Sequence, residues 1–261
     1  MTYDVPGADA LDYMPCRYGS SRLVFRGPRR SLEGPYVALL GGTETYGRFV
    51  EAPYPLLLED RIGMPCINLG VPNAGLDVFL GDAGVLEVAR GAALRIVQLP
   101  PPENHCNPYY SVHPRRNDRM TAPTEALRTL FGPVELCHVH FTGHLMAHLR
   151  RCDRERARTV ESALRAAYSE KLARLAGELG GPTIFLRFGA RSGDGPAEAS
   201  AGLRREDIVE VVPSAQARAE GSSRMVFPDL RAAAAAALPG AKAHEEAAAA
   251  LAAAVRHASG V

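Results

Sequence analysis

The first predicted strand, residues 35–40, runs directly into a glycine-rich turn that carries hydroxyl and carboxylate groups. The turn spans residues 41–47 and reads Gly-Gly-Thr-Glu-Thr-Tyr-Gly, with Thr43 and Glu44 at its centre. A hydroxyl between a strand and a helix N-terminus is typical of nucleophiles and of anion-binding turns. The turn has neither the Gly-Lys-Ser/Thr of a phosphate-binding loop nor the spacing of a dinucleotide-binding loop. A second interpretation stays open, in which Thr43 or Thr45 caps a helix and Glu44 is a solvated carboxylate in its first turn.

A long segment after the third predicted strand gathers amides, aromatic rings and arginines. It spans residues 100–123, no helix or strand is predicted within it, and such long loops in compact domains are often functional. Its candidate substrate-binding residues are His105, Tyr109, Tyr110, His113, Arg115, Arg116 and Arg119. Tyrosine rings can stack on a sugar, and the local excess of arginine predicts contact with a phosphate, sulfate or carboxylate. The alternative is that the arginines pin the loop through carboxylate pairs.

Four histidines in a short stretch raise the question of a metal site. These residues are His138, His140, His144 and His148. On a helix His140, His144 and His148 would be spaced at i, i+4 and i+8. Adjacent members would then lie on one face, where they could bind the same metal ion. The stretch lacks the glutamate of an HExxH site and is strongly apolar, which favours histidines that line a packed helix. The sequence therefore assigns no metal and no cofactor, and the histidine question stays open.

Composition excludes several classes of protein. The 261 residues contain 30 Lys and Arg against 29 Asp and Glu, a net charge of +1 that argues against a nucleic-acid binder. The five cysteines form no CxxC pair, which argues against a disulfide scaffold or a structural zinc site. No apolar run is long enough to span a membrane, and the first residues do not resemble a signal peptide. We therefore expect a cytoplasmic protein with a small-molecule partner, whereas the oligomeric state stays open.

The pattern of elements predicts the fold class. Short apolar runs alternate with helical segments, and near-continuous apolar strands are typical of a parallel sheet covered on both faces. The predicted strands are 35–40, 66–69, 94–99, 183–188 and 208–212, and the main predicted helices are 53–62, 124–131, 141–150, 153–179 and 244–258. The prediction is a three-layer α/β/α sandwich over residues 36–261, with an irregular arm, 1–35, packed on it. A polar segment, 189–202, is a candidate mobile flap.

Four segments resemble the sequence blocks of SGNH/GDSL hydrolases, in the order of that family. Residues 37–47 are similar to the first block, where Gly-Asp-Ser supplies the nucleophile. Residues 68–75 are similar to the second block, and residues 96–104 to the third; these supply oxyanion donors from a glycine N–H and an asparagine amide. Residues 243–248 are similar to the last block, where a histidine opens the final helix as general base. The resemblance implies a flavodoxin-like sheet and an esterase or acyltransferase activity.

The resemblance also implies roles for individual residues. Thr43 would be the nucleophile and His244 the general base. The backbone N–H groups near Thr43 and at Gly75 or Asn73 would hold the oxyanion, together with the side-chain amide of Asn104. The loop arginines, with the other candidates named above, would hold the substrate.

The departures from the family pattern bear on the activity. The serine of the family falls on Thr43, whose β-methyl group crowds an attack, and the two aspartates fall on Gly42 and Ala241. Glu44 is a candidate to replace a missing charge. The leading hypothesis is hydrolysis or transfer of an ester-linked acyl group on a polar, anionic or carbohydrate-like substrate. The alternative is a catalytically degenerate protein of the same fold that binds an anionic glycan or metabolite.

Overall fold

The computed structural model describes residues 11–132, 135–188, 203–217 and 238–259. In chain order the strands are β1 (Val37–Gly41), β2 (Cys66–Gly70), β3 (Leu94–Gln98), β4 (Tyr110–His113), β5 (Arg116–Pro123), β6 (Thr183–Phe188) and β7 (Ile208–Val211). The helices that form the layers and the site are α1 (Thr43–Tyr46), α2 (Tyr54–Ile62), α3 (Leu76–Leu80), α4 (Ala83–Arg90), α5 (Glu125–Phe131), α6 (Thr142–Cys152), α7 (Arg154–Leu179) and α8 (Ala241–Ser259). Among the described residues, no helix is both long enough and apolar enough to cross a bilayer.

Five of the strands form one parallel sheet in the order β2-β1-β3-β6-β7. The predicted five-stranded parallel sheet, and with it the α/β fold class, is confirmed. Every residue of β1, β2 and β3 is buried, because helices cover both faces of the sheet. The strand order reverses between β1 and β3, and ligands of such sheets bind beyond the carboxyl ends of the strands at this point.

Alternate residues of β1 separate the two hydrophobic layers. Ala38 and Leu40 pack with side chains of α3, α4 and α7 on one face of the sheet. Val37 and Leu39 pack with side chains of α2 and α8 on the other. Because side chains alternate along a strand, both faces of one five-residue strand are used fully. The sandwich therefore holds the turn after β1 between two packed layers.

The segment before β1 belongs to the same core. Tyr18 and Phe25 are almost completely buried, and Cys16 pairs with Phe25 in a short antiparallel bridge. The Arg26 guanidinium is buried and donates hydrogen bonds to the carbonyl oxygens of Gly47, Val50 (2.8 Å) and Glu51 (2.7 Å). Burial away from water lowers the pKa of Arg26 below its ordinary value. Arg26 thus ties this segment to the loop that follows α1.

Residues 100–123 were predicted to contain no helix or strand, and this prediction is wrong. Strands β4 and β5 form an antiparallel hairpin within that segment, with register shifts around Val112. Those irregularities break the two-residue alternation by which a strand is recognised, and β5 is mostly polar. Tyr110 and Val112 pack with α5, α6 and α7 in a third hydrophobic cluster beside the main sheet.

The last helix begins three residues earlier than the sequence predicted. It spans Ala241–Ser259, so that His244 lies in its first turn. The other predicted helices agree with the structure to within one or two residues. The candidate flap, 189–202, and the alanine-rich run, 232–237, lie outside the described residues.

We expect the substitution Arg26→Ala to lower the free energy of unfolding by about 2–4 kcal/mol, since it leaves buried carbonyl groups without donors. Urea unfolding followed by circular dichroism measures the change. Arg22→Ala is the matched control, because the Arg22 side chain is exposed and its loss should change stability by less than about 0.5 kcal/mol. Equal stability of both variants would contradict the role given to Arg26.

Candidate functional site

The carboxamide of Gln98 fixes the turn between β1 and α1. Gln98 is the last residue of β3, and its Oε1 accepts hydrogen bonds from the N–H of Gly42 (3.1 Å), the N–H of Thr45 (3.2 Å) and the hydroxyl of Thr45 (2.5 Å). Its Nε2 donates to the carboxylate of Glu44 at 2.8 Å. A Cβ on Gly41 would lie 2.0 Å from Thr45 Oγ1, so only glycine permits this close approach. Gln98 was not among the predicted site residues, although a glutamine at the end of an apolar strand is a visible signal.

Thr43 pairs with Asn73 at the carboxyl edge of the sheet. Its hydroxyl donates to Asn73 Oδ1 at 3.0 Å and accepts the backbone N–H of Asn73 at 2.9 Å. Asn73 adopts a left-handed backbone conformation with φ of 61°, which asparagine tolerates better than most residues. The two blocks of the family resemblance therefore meet in space. The Asn73 N–H is bonded to the Thr43 hydroxyl and is therefore not a free oxyanion donor in this arrangement.

Gly75 and Asn104 lie next to this pair. The Gly75 N–H donates to Asn117 Oδ1 at 2.9 Å and is therefore already bonded, which removes it as a free oxyanion donor. The backbone of Asn104 packs so closely on Gly75 that a Cβ there would lie 1.9 Å from the Asn104 carbonyl oxygen. Asn104 Oδ1 accepts the hydroxyl of Thr142 at 2.6 Å. Within the described residues the Nδ2 groups of Asn73 and Asn104 donate no hydrogen bond, so both can serve a ligand.

Asn117 joins the β4–β5 hairpin to this edge. The side chain is buried, its Nδ2 donates to the His113 carbonyl at 3.0 Å, and its backbone N–H donates to the Asn73 carbonyl at 3.0 Å. Its Oδ1 also accepts the Val78 N–H at 3.3 Å, so it caps helix α3 from outside that helix. Asn117 was not among the predicted site residues, since nothing local to the loop signals a partner 42 residues earlier in the chain.

The structure does not pair His244 with Thr43. His244 is only 1% exposed, and its Nδ1 accepts the backbone N–H of Tyr54 at 3.0 Å. The imidazole stacks on Tyr54 and meets Phe188 edge-on. Burial, with the nearby Arg26 charge, lowers the pKa of His244 to about 4, so the ring is neutral at pH 7.

Two of the predicted substrate-binding residues are interior residues. Tyr110 is fully buried and donates its hydroxyl to the Glu103 carbonyl at 2.8 Å. His105 is also fully buried, and its ring nitrogens make no hydrogen bond of normal geometry with the described residues. Burial lowers the pKa of His105 to about 4, and the positive charge of Lys171 acts in the same direction. Tyr110 and His105 were predicted to contact the substrate. In the structure both are part of the packed core.

The remaining loop candidates lie at the surface. Tyr109 and His113 are half-buried, whereas Arg115, Arg116 and Arg119 are exposed. No direct ion pair joins these three arginines to a carboxylate of the described residues. The Asp118 carboxylate nevertheless lies near Arg116 and Arg119: burial raises the pKa of Asp118, and the charges of the two arginines oppose that shift. Arg116 and Arg119 lie on the strand that Asn117 fixes beside Asn73.

The four histidines do not share one helix face. Helix α6 begins only at Thr142, so His138 and His140 precede it. The buried face of the helix consists of Leu145, Met146 and Leu149, while His144 is exposed and His148 half-buried. The helical spacing of three histidines predicted from the sequence is therefore not realised.

A comparison with known proteins gives a family. The model of the family described as "Domain of unknown function (DUF6473)" matches residues 1–259. The chain belongs to the DUF6473 family. No curated protein matches this DUF6473 chain. Among solved structures it is similar to the lipase Lip_vut3 from a goat rumen metagenome, with 12% sequence identity, a TM-score of 0.47, and coverage of 85% of this chain and 97% of that one.

The Gln98 interactions predict a pH-dependent defect in Gln98→Glu. The new carboxylate would face Glu44 in place of a donor, so at pH 7 we expect a loss of about 2–4 kcal/mol relative to the unsubstituted protein. Like charges raise the folded-state pKa of the pair, so the deficit should shrink as the pH falls towards about 4.5. Gln98→Met is the control, because its deficit should be the same at both pH values. Urea melts at each pH give both numbers.

The buried histidines predict acid sensitivity. A folded-state pKa of about 4 against an unfolded value of about 6.5 means that the unfolded chain binds more protons between these values. Stability is then full above about pH 6.5 and falls as the pH drops towards 4, by about 2 kcal/mol per histidine between pH 7 and 5. His105 and His244 together cause a loss of stability between pH 7 and pH 5, and His244→Gln should remove about half of that loss. His257→Gln, at an exposed position of α8, should leave the pH profile unchanged.

Proposed function

We propose that this DUF6473 protein is an SGNH-like protein that binds a small, oxygen-rich ligand at the Thr43 edge of the sheet without the histidine-assisted hydrolysis of that family. The observation that carries the proposal is the pairing of Thr43 with Asn73, while the His244 ring is buried and its Nδ1 is bonded to the backbone of Tyr54. A hydroxyl becomes a good nucleophile only when a base takes its proton. The base implied by the resemblance is occupied and buried.

The chemistry of the site supports a ligand rich in acceptor atoms. The Nδ2 groups of Asn73 and Asn104 are free to donate to a carbonyl, carboxylate, phosphate or sugar oxygen. Thr142 donates to the carbonyl oxygen of Asn104, which leaves the amino group without a bond to the described residues. The exposed arginines of the hairpin favour an anionic group on that ligand. An acylated sugar or a phosphorylated metabolite combines these features.

A second candidate function is acyl transfer or ester hydrolysis through Thr43. The observation that favours it is the Asn73 N–H, 2.9 Å from Thr43 Oγ1, together with the carboxylate of Glu44 that Gln98 holds in the same turn. In this version the Asn73 N–H would exchange its bond to Thr43 Oγ1 for one to the oxyanion, and Glu44 would take the place of the histidine as base.

The substitution Thr43→Val tests both functions, since it removes the hydroxyl and keeps the shape of the side chain. Binding of mono-O-acetylated glucose, glucose 6-phosphate and inorganic phosphate is measured by calorimetry, and hydrolysis is measured with p-nitrophenyl acetate and butyrate. We expect at least one probe to bind, Thr43→Val to weaken it about tenfold, and no ester turnover above background. Thr121→Val, at an exposed position of β5, is the matched control.

Each alternative result has a distinct meaning. Turnover that is lost in Thr43→Val and retained in His244→Gln would replace the binding function with the second candidate. Turnover that is lost in both variants would restore the histidine mechanism. Binding that is unchanged in Thr43→Val would remove the Thr43 edge from either function. Loss of phosphate binding in the double variant Arg116→Ala, Arg119→Ala would locate the anionic group at the hairpin.

A further inference from the structure

Three groups that bind transition metals lie together in the turn before α6. A carboxylate oxygen of Glu135, the thiol sulfur of Cys137 and a ring nitrogen of His138 all lie within 4.8 Å of one another. Cys137 Sγ is already 3.2 Å from Glu135 Oε1. All three residues are exposed, so an ion can reach them from solvent. This group of three residues is separate from the Thr43 edge.

The turn that carries these groups is anchored on both sides of Cys137. Val139 is buried in the third hydrophobic cluster, and Leu136 packs against the same cluster. The Val139 N–H donates to the Leu136 carbonyl at 3.0 Å, which closes the turn. Because the apolar residues fix the backbone, the donor side chains between and beside them are held on the solvent side. Packing thus fixes the backbone of the turn, and the contact between Cys137 Sγ and Glu135 Oε1 brings two of the donor side chains together on it.

The donor set points to zinc. Thiolate and imidazole favour Zn²⁺ over Mg²⁺ and Ca²⁺, which prefer oxygen ligands, and a carboxylate is a common third ligand. Zinc bonds of about 2.0–2.3 Å in a tetrahedron place neighbouring donor atoms about 3.5 Å apart. The sulfur–oxygen separation of 3.2 Å is already close to that value. Side-chain rotation alone can bring the third donor from within 4.8 Å to the same spacing.

We propose that Glu135, Cys137 and His138 form a zinc-binding site with a water molecule as the fourth ligand. On binding, the Cys137 thiol loses its proton to solvent as the sulfur–zinc bond forms, and no electron is transferred. The histidine binds in its neutral form, and the carboxylate binds without any change. The site uses one of the four histidines that the sequence brings together and two donors outside that group.

A neighbouring pair supplies an internal comparison. His148 Nε2 lies 3.5 Å from Cys152 Sγ, one helical turn apart on α6, and this pair is the matched control for cysteine and histidine chemistry at the surface. Two donors alone bind zinc more weakly than three that converge. Cys152→Ser should therefore leave metal binding unchanged, whereas Cys137→Ser should abolish it.

The experiment is a Co²⁺ titration of the full chain under a thiol-free reductant, followed by the sulfur-to-cobalt charge-transfer absorption. We expect one equivalent of Co²⁺ to produce the band, Zn²⁺ to displace it, and Cys137→Ser to eliminate it. Glu135→Gln and His138→Gln should each weaken binding at least tenfold. Absence of the band in the unsubstituted protein, or its loss in Cys152→Ser with retention in Cys137→Ser, would overturn the site. Circular dichroism of each variant verifies the fold, since these side chains are exposed.

Discussion

The four hydrogen bonds of the Gln98 carboxamide are the constraint on which the candidate site depends. The amide comes from the end of β3, yet it holds the turn after β1, so that two neighbouring strands share one polar junction. A buried amide contributes to stability only when it is fully bonded, and here its oxygen and its nitrogen are both bonded. The junction also determines where Glu44 points. The hydroxyl of Thr43 is therefore presented by a rigid turn and not by a loop.

The sheet could be predicted from the sequence because its signal is local. Each of the five strands is a short apolar run that ends near a glycine, a proline or a polar loop, and a parallel sheet buried on both faces needs little more. The hairpin of β4 and β5 could not, because its register shifts and polar second strand remove the alternation that local reasoning relies on. The stabilising partners of that hairpin lie far away in sequence, as the bond between Asn117 and Gly75 illustrates.

The site could be predicted only in part, and the reason is visible at His244. The loops on which the resemblance rests do meet in space, since Thr43, Asn73 and Asn104 all lie at the carboxyl edge of the sheet. The start of α8 at Ala241 places His244 inside the first helical turn, where its ring packs against Tyr54. Alanine and lysine are strong helix formers, so nothing at Ala241 delays the helix. Without the aspartate of the family at that position, no carboxylate draws the imidazole towards the site.

The position of the β4–β5 hairpin determines which hydrogen-bonding groups remain free at the site. The side-chain oxygen of Asn117 accepts the Gly75 N–H, a potential oxyanion donor, and this hydrogen bond attaches the hairpin to the sheet edge. The same attachment holds the strand of the exposed Arg116 and Arg119 next to Asn73. The Gly75 N–H is occupied and His244 is buried in its contact with Tyr54, so the groups left at this edge are hydrogen-bond donors that can hold a ligand and not a base that acts on a transition state. This difference is the physical reason why we propose binding at this edge and not histidine-assisted hydrolysis.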